Sequence, residues 1–323
     1  MRTISLIAAA LAAAVLGMSV QNATAAGVKV TPLGSHDGEF CKFDRAMVFE
    51  DPNGTRILYD AGRTVAGPGD PRLGKIDVIL VGHMHGDHIG DKHQPSLNAG
   101  TCGKPAFSEK AAPNTNTINI ALAKNATIVT GSEMRRFLGT KLAALGGDAK
   151  KSQLARFGSS RAFGGVKITT VPAVHSNGVN PAFIGGELGK LLKAAGLAGY
   201  AGPPTGYVLT FSNGLVVYLS GDTGITAEQD SVVRRHYKAS LVVMNIGDVF
   251  TTGPTEAAFV INELVKPASV IVSHANQVTT KGGKVIAGTK AEIFIKTASV
   301  PVHIPLSGVT MEFDGNGKCV AGC

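Results

Sequence analysis

The sequence predicts an α/β fold in which two β-sheets pack face to face with helices outside. Three observations predict it. Apolar runs of strand length recur at Val28 to Leu33, Ala46 to Glu50, Arg56 to Tyr59, Ile76 to Val81, Thr127 to Thr130 and Val166 to Val171. They continue at Tyr207 to Phe211, Leu215 to Leu219, Leu241 to Ile246, Val270 to Ser273 and Val302 to Pro305. Helix-length stretches with polar starts fall between several of them. The order, hairpins first and then strand–helix alternation, runs once before about Val166 and again after it, as two similar halves of one domain would. Glycine at 41 of 323 residues and the absence of Trp fit this loop-rich architecture better than a helical bundle.

Taken in chain order, the first 26 residues read as a cleaved secretory signal. Arg2 gives a positive start, Ile4 to Val20 form an apolar stretch, and Ala23-Thr24-Ala25 is a small-residue cleavage pattern. A membrane anchor is the alternative, but the run is short and is followed by polar Gln21 and Asn22. No cysteine lies near the cleavage point to carry a lipid. Residues 27–323 are then a single domain, periplasmic or secreted, with no further segment able to span a bilayer.

Within that domain, Asp51-Pro52-Asn53-Gly54 and Ser212-Asn213-Gly214 are hairpin turns. Ser132 to Leu145, Thr226 to Tyr237 and Pro254 to Leu264 read as helices from their Ser, Thr and Pro starts. Two stretches stand outside the scheme. Asp91 to Asn125, rich in Pro, Asn and Thr, reads as a long loop. Ser176 to Thr205 is dominated by Gly, Ala and Leu, with a short helix at Gly186 to Ala195. The glycines at Gly185, Gly186 and Gly189 do not directly follow a strand, so they are not read as a nucleotide loop.

Export permits disulfides, and the four cysteines allow three pairings. Cys41 with Cys102 and Cys319 with Cys323 is the preferred set: one pins the long loop, the other closes the C-terminal tail. A cysteine zinc site lacks the usual two-residue spacing. The formal net charge is +8, or +7 once Arg2 leaves with the signal. The charges are dispersed, with modest clusters at Lys150, Lys151, Arg156 and Arg161 and at Arg234, Arg235 and Lys238. No basic stripe interleaved with aromatics argues for nucleic acid.

The chemistry concentrates in "VGHMHGDHIG", residues 81–90, directly after an apolar strand. Residues two apart on extended chain point the same way, so His83 and His85 can face one ion. Gly86 allows a tight turn that presents Asp87 and His88 to a second position. Imidazole and carboxylate are zinc ligands, although a polar loop without metal has the same composition. Three more candidates each end an apolar strand: His175 in "ITTVPAVHS", Asp222 in "LVVYLSGDTG" and His274 in "ASVIVSHAN". Each alone could be a buried histidine or a turn former; together they suggest loops converging at one sheet edge.

His-x-His-x-Asp-His with Ile89-Gly90, then His175, Gly221-Asp222-Thr223 and His274, resembles the metallo-β-lactamase superfamily over nearly all of the mature chain. "GPTEAAFVINELVKPASVIVSHAN" is most similar to its ascorbate-6-phosphate lactonase-like hydrolases. The resemblance implies an αβ/βα four-layer sandwich with two mixed sheets. It implies a first metal on His83, His85 and His175, and a second on Asp87, His88 and His274, with Asp222 bridging. True β-lactamases of the superfamily lack that bridging carboxylate, so antibiotic cleavage is disfavoured. Diiron relatives commonly carry Glu where His85 stands, so two Zn2+ are expected, with Mn2+ or Fe2+ as alternatives.

Two close cations acidify a water held between them, and Asp87 is placed to orient it. The expected activity is therefore hydrolysis, with no Gly-x-Ser-x-Gly elbow to supply a covalent nucleophile. The expected substrate is a small-molecule ester or lactone, because Phe183, Ile184, Leu188, Leu191, Leu192 and Leu197 would form an apolar wall. The alternatives are a phosphodiester or phosphotriester, for which Arg63, Lys92 and Lys281 are weak phosphate partners, and a non-hydrolytic metal-binding or redox protein. His36 and His93 could line the site or stand aside. His236 and His303 read as structural, and Asp91 has no clear role.

Overall fold

The computed structural model describes residues 26–323. The expected signal segment lies outside them, apart from its last residue. Two large sheets dominate. The first has eight strands, in the spatial order Ser152–Leu154, Thr127–Thr130, Val78–Val81, Arg56–Tyr59, Met47–Glu50, Val28–Pro32, Met311–Phe313 and Cys319–Ala321. The second has seven: Ser160–Phe163, Val166–Pro172, Thr205–Thr210, Val216–Leu219, Leu241–Asn245, Ser269–Ser273 and Val302–His303. Each sheet begins with antiparallel hairpins and changes to parallel pairing, at Arg56–Tyr59 with Val78–Val81 in one and at Val216–Leu219 with Leu241–Asn245 in the other. That change is the structural form of the repeated order read in the sequence.

The side-chain period of two on a strand builds the layers. Val78 and Leu80 point between the sheets, where they meet Tyr207, Leu209, Val217, Leu219 and Val243. Ile79 and Val81 point the other way, onto Ile118, Met134 and Leu138 of the helices Asn116–Lys124 and Met134–Ala144. On the far side, Val242, Met244, Val270 and Val272 pack on Ala257, Ile261 and Phe294. The strands are apolar on both faces because both faces are covered, which gives a helix–sheet–sheet–helix sandwich. The Tyr207 hydroxyl reaches across from the second sheet to the carbonyls of Val81 (2.6 Å) and Val129 (3.0 Å) in the first. This ties the sheets at the ends that carry the site.

Several expectations need correction. Residues 91–125 are not all loop: Asn116–Lys124 is a helix whose first turn is capped by the Thr115 hydroxyl accepting from Ile118 N–H at 3.0 Å. Its Asn and Thr positions are weak helix formers, and burial of Ile118 and Ala121 decides the matter. Gln229–Arg234 and Val260–Val265 wind as π-helix, so the helix read at Thr226 and the second half of the one read at Pro254 are wider-wound than a 3.6-residue period implies, while Pro254–Phe259 is α-helix. Both preferred disulfides are present, Cys41–Cys102 spanning 61 residues and Cys319–Cys323 spanning 4. Among the described residues no helix is long and apolar enough to cross a membrane.

Candidate metal centre

Parallel strands end on the same edge of a sheet, so the loops that follow them share one rim. Val78–Val81 leads to His83, Arg56–Tyr59 to Asp60, Leu219 to Asp222, and Ser273 directly to His274. Pro172 ends the strand before His175. His85 immediately precedes the one-turn helix Gly86–Ile89, which carries Asp87 and His88. Two glycines in the left-handed region allow this turn to sit tightly. A Cβ on Gly62 (φ 57°) would lie 2.6 Å from the Asp87 carbonyl oxygen, and one on Gly90 (φ 75°) would lie 2.5 Å from the Gly62 carbonyl oxygen. Asp60 (φ 45°) and His274 (φ 52°) adopt the same region without being glycine, a backbone cost that surrounding structure must hold in place.

All seven candidate ligands come together. His83, His85 and His175 offer donor atoms within 4.8 Å of one another, and Asp87, His88 and His274 form a second such group. The rings of the first group lie 4.5–5.0 Å apart between centroids. Asp222 stands between the groups. Its Oδ2 lies 3.2 Å from Nε2 of both His88 and His274, 3.7 Å from that of His175 and 3.8 Å from that of His83. The Nε2 atoms of His83, His88 and His274 are buried and have no hydrogen-bond partner in the protein. Buried polar atoms are rarely left so. Imidazole nitrogens and carboxylate oxygens that converge while unpartnered fit divalent metal ions, zinc among them.

Electrostatics follow from burial among charges. Burial and the neighbouring His88 hold the His83 ring well below its usual range, in the neutral form a metal requires. At Asp222 burial works against ionisation, but His274 and His88 keep the carboxyl well below the carboxylate range. Asp87 is held down likewise, against burial, by the Arg45 guanidinium and then by His88 and His274. His88 is pushed up to about 10: burial opposes its charge, yet Asp222, Asp60 and Asp87 surround it. A site rich in carboxylate that draws positive charge onto a histidine is one a dication can satisfy instead.

Inspection of the sequence missed two residues. Asp60, 1 % exposed, lies 2.8 Å from His88 Nδ1 and fixes which ring nitrogen faces the cluster. Its only signal is its place directly after an apolar strand, like the ligands themselves. Arg45, 3 % exposed, forms an ion pair with Asp87 and had no signal at all. The Asn177 side chain also accepts from the Met84 N–H at 2.8 Å, and the Ser176 hydroxyl lies 3.3 Å from His85 Nε2. Substituting Asp60→Asn should weaken metal retention by roughly 10- to 100-fold, the usual cost of removing a ligand's orienting carboxylate. Equilibrium dialysis against a metal buffer measures it, and unchanged retention would refute the role.

The remaining candidates lie elsewhere. Asp91 accepts from Arg63 Nε (2.6 Å) and NH2 (3.0 Å), which commits Arg63 away from any substrate. Lys281 is exposed in a short hairpin, and Lys92 lies in a two-stranded pairing with Glu109–Lys110. His36 lies 3.1 Å from the Ser35 hydroxyl and 3.3 Å from the Gly100 carbonyl, and His93 Nδ1 donates to the Gln94 carbonyl at 2.8 Å. His236 packs edge-on against Tyr237, and His303 against Phe313.

The model of the β-lactamase superfamily domain matches residues 55–275, which hold all seven candidate ligands. The chain belongs to the metallo-β-lactamase superfamily. A UPF0173 metal-dependent hydrolase of Polynucleobacter asymbioticus is 31% identical over 323 residues, with 96% of both chains covered. One from Cupriavidus taiwanensis is 33% identical over 211 residues, 63% of this chain, and the match spans only 60% of that relative's length. Among solved structures, Igni18, a metallo hydrolase from Ignicoccus hospitalis, superposes with a TM-score of 0.55 at 19% identity, covering 88% of this chain and 100% of its own. At that identity the likeness concerns the fold alone.

Proposed function

We propose that the chain is a metal-dependent hydrolase that uses two ions, zinc by preference, to cleave an ester or lactone of a small molecule. The observation that carries this is the convergence of seven nitrogen and oxygen donors on one rim, with three buried Nε2 atoms left unpartnered. Bound ions there would lower the pKa of a water and polarise the bond to be cleaved. His83, His85 and His175 would hold the first and Asp87, His88 and His274 the second, with Asp222 shared. Asp60 keeps the Nδ1 proton on His88. Asp87, 28 % exposed at its side chain, is the ligand open enough to orient a water.

Substrate class is argued from the cavity of about 510 Å³ beside His175, a size that suits a small molecule. Val174, Ile225 and Phe250 give it an apolar side, and Asp248 and Glu256 line it with no Lys or Arg. Two carboxylates disfavour an anionic phosphodiester, for which a basic partner is expected. None of the residues expected to form an apolar wall lines this cavity; Leu197 instead borders a separate, more apolar one of about 530 Å³. Phe183 and Ile184 pack on the outer helix layer, while Leu188, Leu191 and Leu197 face solvent. The two disulfides support work outside the cytoplasm.

The test is a side-by-side rate measurement of zinc-loaded protein on a simple lactone and a chromogenic phosphodiester. Clear preference for the lactone is expected; preference for the phosphodiester would overturn the substrate reading. Chelation should abolish the activity and zinc should restore it, and turnover that survives complete metal removal would overturn the mechanism.

A further inference from the structure

Arg45 is a cation built into a site for cations. It cannot be a ligand, its side chain is 2 % exposed, and it pairs with Oδ2 of Asp87, the same oxygen that faces His88 and His274. Its NH2 lies 3.4 Å from the Asn276 side-chain oxygen, and its Nε is buried without a partner. The small enclosed cavity it borders is lined also by Asp60, His88, Asp222 and His274, but by none of His83, His85 or His175. The guanidinium therefore adjoins one metal position and not the other.

We propose that Arg45 makes the two positions unequal. The position of His83, His85 and His175 fills first and tightly. That of Asp87, His88 and His274 fills last and weakly, because Arg45 competes for Asp87 and its fixed charge repels a second dication. Buried charges are poorly screened by salt, so the inequality persists at physiological ionic strength. Arg45 is thus a positioning residue acting through Asp87, and the chain works with one firmly held ion and one exchangeable ion. This rests on the metal-binding reading above.

The experiment is a zinc titration of chelator-stripped protein against a chromophoric chelator, with bound zinc counted by elemental analysis. Wild type, Arg45→Met and Arg45→Lys are compared, and circular dichroism checks the fold of each. Wild type should bind zinc in two steps at least about tenfold apart, the scale on which groups around the ligands tune metal affinity. Arg45→Met should tighten the second step by about tenfold and leave the first unchanged, while Arg45→Lys should keep the separation. Two equally tight steps in wild type would overturn the proposal even if neither variant folds. A second step that Arg45→Met weakens or leaves unmoved would overturn it as well. Folded wild type that binds no zinc would overturn the metal reading itself, a result distinct from either.

Discussion

Replacing Asp222 with alanine is expected to reduce turnover by about 10³-fold or more, since a shared metal ligand supplies several kcal/mol of transition-state stabilisation and each 1.36 kcal/mol is a factor of ten. One oxygen of this side chain lies within 3.8 Å of four histidine nitrogens, so its loss affects both groups of donors at once. Bound zinc should fall at both positions, not one. Asp222→Asn keeps the shape and removes the charge, so zinc should be lost from both positions here too, counted by elemental analysis. A variant that keeps two ions and full turnover would refute the bridging assignment.

Opening the Cys41–Cys102 disulfide should destabilise the protein by about 4 kcal/mol on the chain-entropy estimate, which grows with the loop closed. The loop here spans 61 residues and includes the first cluster of candidate ligands, His83, His85, Asp87 and His88. Cys41 is fully buried, so a double serine variant also places one hydroxyl in the interior. On the order of 10 °C should be lost from the melting temperature, given about 2–4 °C per kcal/mol for large domains. The Cys319–Cys323 pair closes only 4 residues at an exposed tail, and its removal should cost about 2 kcal/mol. Scanning calorimetry of the two double variants ranks them, and an equal or reversed order would contradict the loop-length argument.

The seven candidate ligands, which the fold brings together, were legible because their signals are local. Each lies within a few residues of the end of a strongly apolar run, and strand ends in a sandwich of parallel halves share a rim. Asp60 shares that position but carries no motif, and what distinguishes it is a histidine 28 residues away. Arg45 meets Asp87 across 42 residues of chain, and nothing near it in sequence marks it. The helix Asn116–Lys124 was hidden for a related reason: its Asn and Thr content resembles loop, and its burial comes from contact with another element.

The excursion between His175 and Asp222 shows the limit from the other side. Its leucines suggested a pocket wall because hydrophobic residues near a site tend to line it. In the fold, Phe183 turns away to the helix layer, and Leu188 and Leu191 remain exposed at 60 % and 67 %. Val174, Ile225 and Phe250, from three separate segments, border the cavity instead. Alternation and strand-end chemistry are properties of a few consecutive residues, so they specify layers, edges and ligands in the chain itself. Which side chain faces which cavity, and which cation neighbours which carboxylate, depends on how segments far apart pack, and no short stretch carries that information.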